Sequence, residues 1–97
     1  MATYKVKSEV WLYPSATAAW HFVSLSRSQS EEIDKKFRDK RRGWNSFRVK
    51  ATLGKSVWNT SIFYDKRESA YILPLKAEVR KRENVRQGDI ITFSIQI

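Results

Sequence analysis

The sequence predicts a mainly β fold: a small closed or half-closed, mostly antiparallel β-barrel of about six strands with two short helices. Three observations predict it. Most of the chain alternates apolar and polar residues with a period of two, as half-buried strands do. The alternating runs are short, and only two segments carry helical spacing. Parallel strands need roughly a dozen residues for each crossover, and a chain of 97 residues cannot supply that between six strands. A sheet that curls towards closure also removes exposed edges.

The elements follow in order. The first strand places Tyr4, Val6, Val10 and Leu12 on one side, with Lys5, Lys7 and Glu9 on the other and Trp11 and Tyr13 breaking the polar face. "PSATAA" reads as a loop. "WHFVSL", Trp20 to Leu25, is short and nearly continuous in apolar character, which predicts a strand covered on both sides with Trp20 in the core. "FRVKATL" turns Phe47, Val49, Ala51 and Leu53 inward and Arg48, Lys50 and Thr52 outward. "LGKS" is a hairpin turn using Gly54, and "VWNTSIFY" returns from it with Trp58 on the face of Thr60 and Ile62. Pro74 restricts "AYILPL" to an edge or an end, because proline has no N–H for a ladder. "DIITFSIQI" closes the run, with Ile91, Phe93, Ile95 and Ile97 on one face.

The first helix begins in "SRSQSEEIDKKF", where Ser28 and Glu31 have capping-box spacing and Ile33 and Phe37 give one apolar stripe. The second is "KAEVRKRE", Lys76 to Glu83, with Val79 inward. It is too short to stand alone and must be held by packing. "RQGD" supplies the turn into the last strand, with Gly88 at the bend and Asp89 stabilising it. No linker, repeat or low-complexity tract divides the chain, so residues 1–97 are read as one domain.

Composition narrows the chemistry. There is no cysteine and a single histidine, His21. Thiol catalysis, disulfides, thiolate zinc sites and histidine metal clusters are therefore excluded. No nucleophile elbow, phosphate-binding glycine loop or metal-ligand cluster is present, so neither catalysis nor a cofactor is expected. No apolar run is long enough to span a membrane, and the N-terminus lacks the apolar core of a signal peptide, so a cytoplasmic protein is expected. Nineteen Lys and Arg against ten Asp and Glu give a formal charge of +9. That balance favours polyanionic partners and equally favours plain solubility.

The runs "WHFVSL…SEEI", "RRGWNSFRVKATLGKSVWNTSIF" and "YILPLKAEVRKRENVRQGDIITFSI" resemble a prokaryotic family of small β-barrel domains catalogued as domain of unknown function nineteen-oh-five. The residues that carry the likeness are Trp20, Phe22 and Val23; Thr60, Ser61 and Phe63; and Lys76, Val79, Arg80, Lys81, Gly88 and Asp89. The chain departs from the family at Leu25-Ser26, usually Leu-Pro, and at Ala18 and Ala19, often glycines. The resemblance implies the barrel and no activity. A local likeness links "LPLKAEVRKRENVRQGDIITFSI" to the swapped-hairpin repressor and antitoxin motif, whose members are DNA-binding dimers. Val79 and Arg80 stand two residues further from Pro74 than that motif requires. The likeness is read as the same local device used in a different fold.

Two functional expectations result. One is a small binding module that takes an anionic small ligand at the barrel mouth, through Lys76, Arg80, Ser61, Trp20 and Trp58. Lys76 and Arg80 are four apart on the second helix, so two like charges share a face unless Glu83 takes Arg80 or an anion sits between them. Glu78 and Arg82 have the favourable order for a surface pair. The alternative is a domain binding nucleic acid without sequence specificity. It would use the basic run "DKKFRDKRRGWNSFRVK", with Arg41, Arg42, Arg48 and Lys50 tracking phosphates and Trp44 stacking on bases. The bland account of that run is a solvated helix end, where each cation complements the helix dipole by roughly 0.3–1 kcal/mol. Trp11, on the outer face of the first strand, suggests a homodimer contact or a residue lying under a loop.

Overall fold

In a computed structural model, which describes residues 2–13, 20–41, 43 and 45–97, the chain folds into seven strands, two α-helices and a single 3-10 turn at Arg38–Lys40. The strands are β1 (Thr3–Glu9), β2 (Trp11–Tyr13), β3 (Trp20–Ser24), β4 (Ser46–Leu53), β5 (Ser56–Asp65), β6 (Ala70–Pro74) and β7 (Ile90–Gln96); the helices are α1 (Arg27–Lys36) and α2 (Ala77–Glu83). Their order across one sheet is β1-β7-β4-β5-β6-β3-β2, and every neighbouring pair is antiparallel. The "PSATAA" loop lies outside the described residues.

The two margins of the sheet, β1 and β2, are consecutive in the chain, with only Val10 between them. The first alternating run is thus a single strand bent at Val10. It pairs with β7 through its first half and with β3 through its second. This bend curls the sheet into a half-barrel, and it accounts for seven strands where six were expected. The turn before β7 clips the bend in place: Gly88 donates its N–H to the Val10 carbonyl at 2.8 Å, and Val10 donates to the Asp89 carbonyl at 2.9 Å. Gly88 has φ 90°, a conformation glycine adopts at no steric cost. The Asp89 carboxylate accepts the Arg86 N–H at 2.8 Å, which is the turn role expected of it.

The core follows the alternation. Phe47, Val49, Leu53, Phe93 and Ile95 are buried, and Ile91 is half-buried against the same cluster. Ala51 sits between Ile95 on β7 and Trp58 on β5, which fixes the inward register of all three strands. The Phe47 ring meets Tyr71 edge-on, with centroids 5.4 Å apart.

Both helices form where expected, but the first is capped by a different serine. Ser26 accepts the Gln29 N–H at 3.0 Å, and the Gln29 side chain accepts the Ser26 N–H at 3.2 Å. Ser28 already lies inside α1. Two overlapping segments satisfy the spacing rule, and the strand exit decides between them: Ser26 follows β3 and keeps extended backbone angles. Ile33 is buried and Phe37 packs against the core, as their spacing predicts. In α2, Val79 is buried and Asn84 closes the helix in the left-handed conformation. Glu83 accepts from the Ser56 hydroxyl at 2.6 Å, tying α2 to the β4–β5 hairpin. Gly54 has the left-handed φ of 59° that favours glycine, and a side chain there would have to displace that same Glu83 carboxylate. Among the described residues no helix is long and apolar enough to cross a membrane.

Candidate ligand-binding site

The site lies where β5 and β6 part. β6 ends at Pro74, which cannot donate to a ladder. The register between β5 and β6 covers only Phe63–Asp65, while β5 extends back to Ser56. Pairing with β5 ends at Ile72, and Leu73 and Pro74 pair only with β3; Leu75 then donates its N–H to the His21 carbonyl on β3 at 2.9 Å, and α2 begins two residues later. A wedge opens between β5 on one side and the β3–β6 pair with α2 on the other. It holds a cavity of 310 Å³.

Four of the five expected ligand residues border this cavity: Trp20, Trp58, Lys76 and Arg80. Trp58 forms its floor and is 9% exposed. Trp20 forms its lip and is 56% exposed, which corrects its expected place in the core. The reason is parity. Trp20 shares its side of β3 with Phe22 and Ser24, whereas the buried Val23 points the other way. Ser61 is the residue that does not arrive. Its hydroxyl accepts from the Arg48 guanidinium at 3.2 Å, on the outer face of the β4–β5 pair. Thr60, one residue away on the inward side, takes the place expected of Ser61. His21 and Asn59 also line the cavity and were not singled out in the sequence.

The electrostatics are one-sided. No carboxylate is among the residues that line the cavity. Arg80 donates from Nε to the Leu75 carbonyl at 3.0 Å, which anchors the guanidinium at that nitrogen. Glu83 does not take Arg80: its carboxylate accepts from the Ser56 hydroxyl, and no ion pair joins the two among the described residues. Glu78 pairs with Arg82 at 2.7 Å, as its spacing predicts. Lys76 and Arg80 therefore face the cavity with no carboxylate partner among the described residues.

The residues of the basic run do not gather at one place. Arg41 pairs with Asp34 at 2.8 Å, and the same carboxylate accepts the Tyr71 hydroxyl. Arg42 and Trp44 lie outside the described residues. Arg48 and Lys50 are exposed on the outer face of β4. The register aligns them with β1: Lys50 faces Gln96, which faces Thr3, and Thr52 faces Ser94, which faces Lys5. Lys5, Lys7, Arg48 and Lys50 thus share a face of the sheet.

Trp11 finds its partners within the chain. It stacks on Phe22 with centroids 5.3 Å apart, and its indole N–H donates to the Ser24 hydroxyl at 2.9 Å. The Arg67 guanidinium lies 4.7 Å from the centre of the neighbouring Tyr13 ring. Burial first, and the Asp34 carboxylate second, push the Tyr71 hydroxyl up from its ordinary pKa. Burial first, and Glu32 second, push Tyr4 up to about 12.

Among the described residues no group of three acidic or histidine side chains could hold a metal ion. A search of curated proteins returns no match. The family model described as Domain of unknown function (DUF1905) matches residues 7–95. That span runs from the middle of β1 to the end of β7 and includes the whole wedge, so the chain belongs to this family.

Proposed function

We propose that the protein is a binding module that takes a small anionic ligand in the wedge between β5 and α2. The observation that carries this reading is the pairing of charges on α2. Both of its carboxylates are engaged away from the cavity, and both cations on its cavity side are left without one. Two like charges four residues apart destabilise a helix by a few tenths of a kcal/mol. An anion between them reverses that sign. Trp20 and Trp58 supply an apolar wall and floor, and the volume is at the lower end of the ~300–1,000 Å³ typical of ligand cavities.

Sulfate or phosphate should raise the melting temperature more than chloride at equal ionic strength. At about ten times its dissociation constant, a ligand stabilises by about 1.4 kcal/mol, which moves the melting point of a domain this size by about 6–11 °C. Replacing both Lys76 and Arg80 by Gln should erase the difference between the salts. An equal rise in the wild type and the double variant would leave two solvated cations and no site.

The second reading is nucleic-acid binding, and the shared face of Lys5, Lys7, Arg48 and Lys50 favours it. None of these four pairs with a carboxylate among the described residues, and Ser, Thr, Asn and Gln side chains stand between them. The loop residue Arg41 contributes less, because Asp34 already neutralises it.

A further inference from the structure

We propose that the ligand of the wedge is the carboxyl-terminal end of a peptide, an N-acylated apolar or aromatic residue whose α-carboxylate lies on Arg80 and Lys76. This rests on the anion-site reading and narrows it. Three features of the wedge each select one chemical group, and a peptide end carries all three.

The first is Arg80. With Nε committed to the Leu75 carbonyl, the two Nη groups are the fork left for a ligand. A planar carboxylate matches that fork with two parallel hydrogen bonds. Lys76, one turn earlier at the start of α2, adds a point charge. The second feature is the pair of tryptophans. Trp58 beneath and Trp20 at the lip bound an apolar slot beside the cations, with Pro74 and Leu75 between them. Inorganic phosphate has nothing to place there, and an apolar side chain does.

The third feature is the open edge of β5. Towards β4 the strand is paired along its whole length, but towards β6 the register stops at Phe63. In an antiparallel ladder, alternate residues direct both N–H and C=O to the same neighbour. Some backbone groups of Trp58–Thr60 therefore point into the wedge, and no backbone hydrogen bond from β6 or α2 reaches that segment. A peptide backbone laid in the ladder positions that β6 vacates after Ile72 would satisfy them, as peptides do when they add to a strand edge. The cavity of 310 Å³ has room for the last residue and little more, so recognition is concentrated on the terminus.

The test uses the full chain and four probes, followed by tryptophan fluorescence and calorimetry. The probes are acetyl-alanyl-phenylalanine as the free acid, the same dipeptide as its carboxamide, 3-phenylpropionate, and inorganic phosphate. The free acid should bind at least about tenfold more tightly than the carboxamide, the value of losing a charge-assisted hydrogen bond. It should also bind several-fold more tightly than 3-phenylpropionate, which has the ring and the carboxylate but no amide for the β5 edge. Arg80→Gln should abolish the difference between acid and carboxamide. Trp20→Ala removes an exposed side chain, so the fold is kept, and it should weaken the acid by about threefold to tenfold. A dipeptide acid no tighter than its carboxamide, or no tighter than 3-phenylpropionate, overturns the peptide proposal in the wild-type protein alone. If phosphate then still binds through Lys76 and Arg80, the anion site stands and only its peptide ligand falls. If phosphate fails as well, both fall.

Discussion

Replacing Phe47 by alanine should lower the unfolding free energy by about 3–5 kcal/mol, read from urea denaturation. The ring is fully buried, faces Ile62 across the β4–β5 ladder and meets Tyr71 edge-on. Its removal loses the transfer free energy of the ring and leaves a hole that the surrounding strands close only in part. Domains have roughly 5–15 kcal/mol in total, so the variant should be close to unfolding at room temperature. Phe47→Leu, which keeps most of the volume, should cost far less. A loss below about 1 kcal/mol for Phe47→Ala would mean that the inward register of β4 is wrong.

Ser30→Ala should cost about 1–3 kcal/mol, while Ser28→Ala, two residues away, should stay within about 0.5 kcal/mol. Ser30 is buried between α1 and β6. Its hydroxyl donates to the Ser26 carbonyl at 2.9 Å and accepts the Tyr71 N–H at 3.0 Å. Alanine removes both bonds and strands the buried Tyr71 N–H. Ser28 is exposed on the helix and makes neither bond. Equal effects of the two substitutions in thermal or urea melts would contradict this docking of α1 on β6.

The strands were legible because period-two alternation is a local property. "FRVKATL" and "DIITFSIQI" needed no tertiary information to reveal which face was inward: of the eight residues read as inward from them, six are buried and Ile91 and Ile97 are half-buried against the core. Trp20 was misread because a short, nearly continuous apolar run hides its own parity. Phe22 and Val23 alone do not say which side is the core, and the outer face of β3 carries an aromatic cluster that shelters Trp11 and Phe22. Ser61 was placed at the site by chemistry, yet it stands at odd parity from Trp58, so alternation sends its hydroxyl to the opposite face of β5. The like-charged pair Lys76 and Arg80 was visible from helical spacing alone. The wedge they face was not. It depends on where β6 stops relative to β5, and on Leu75 bonding to β3 and not to β5, which are matters of pairing between distant segments. The bend at Val10 is likewise set by the distant Gly88–Asp89 turn.

The central claim is that anions enter the wedge between β5 and α2. A titration of the ¹⁵N-labelled protein with inorganic phosphate, followed by amide and tryptophan indole resonances, tests it most directly. The account predicts saturable shifts concentrated on Trp20, Trp58, Asn59, Thr60, Ala77 and Arg80, lost when Lys76 and Arg80 are both replaced by Gln. Shifts confined to Lys5, Lys7, Arg48 and Lys50 on the outer face of the sheet, or small unsaturable shifts spread over all the lysines and arginines, would contradict it.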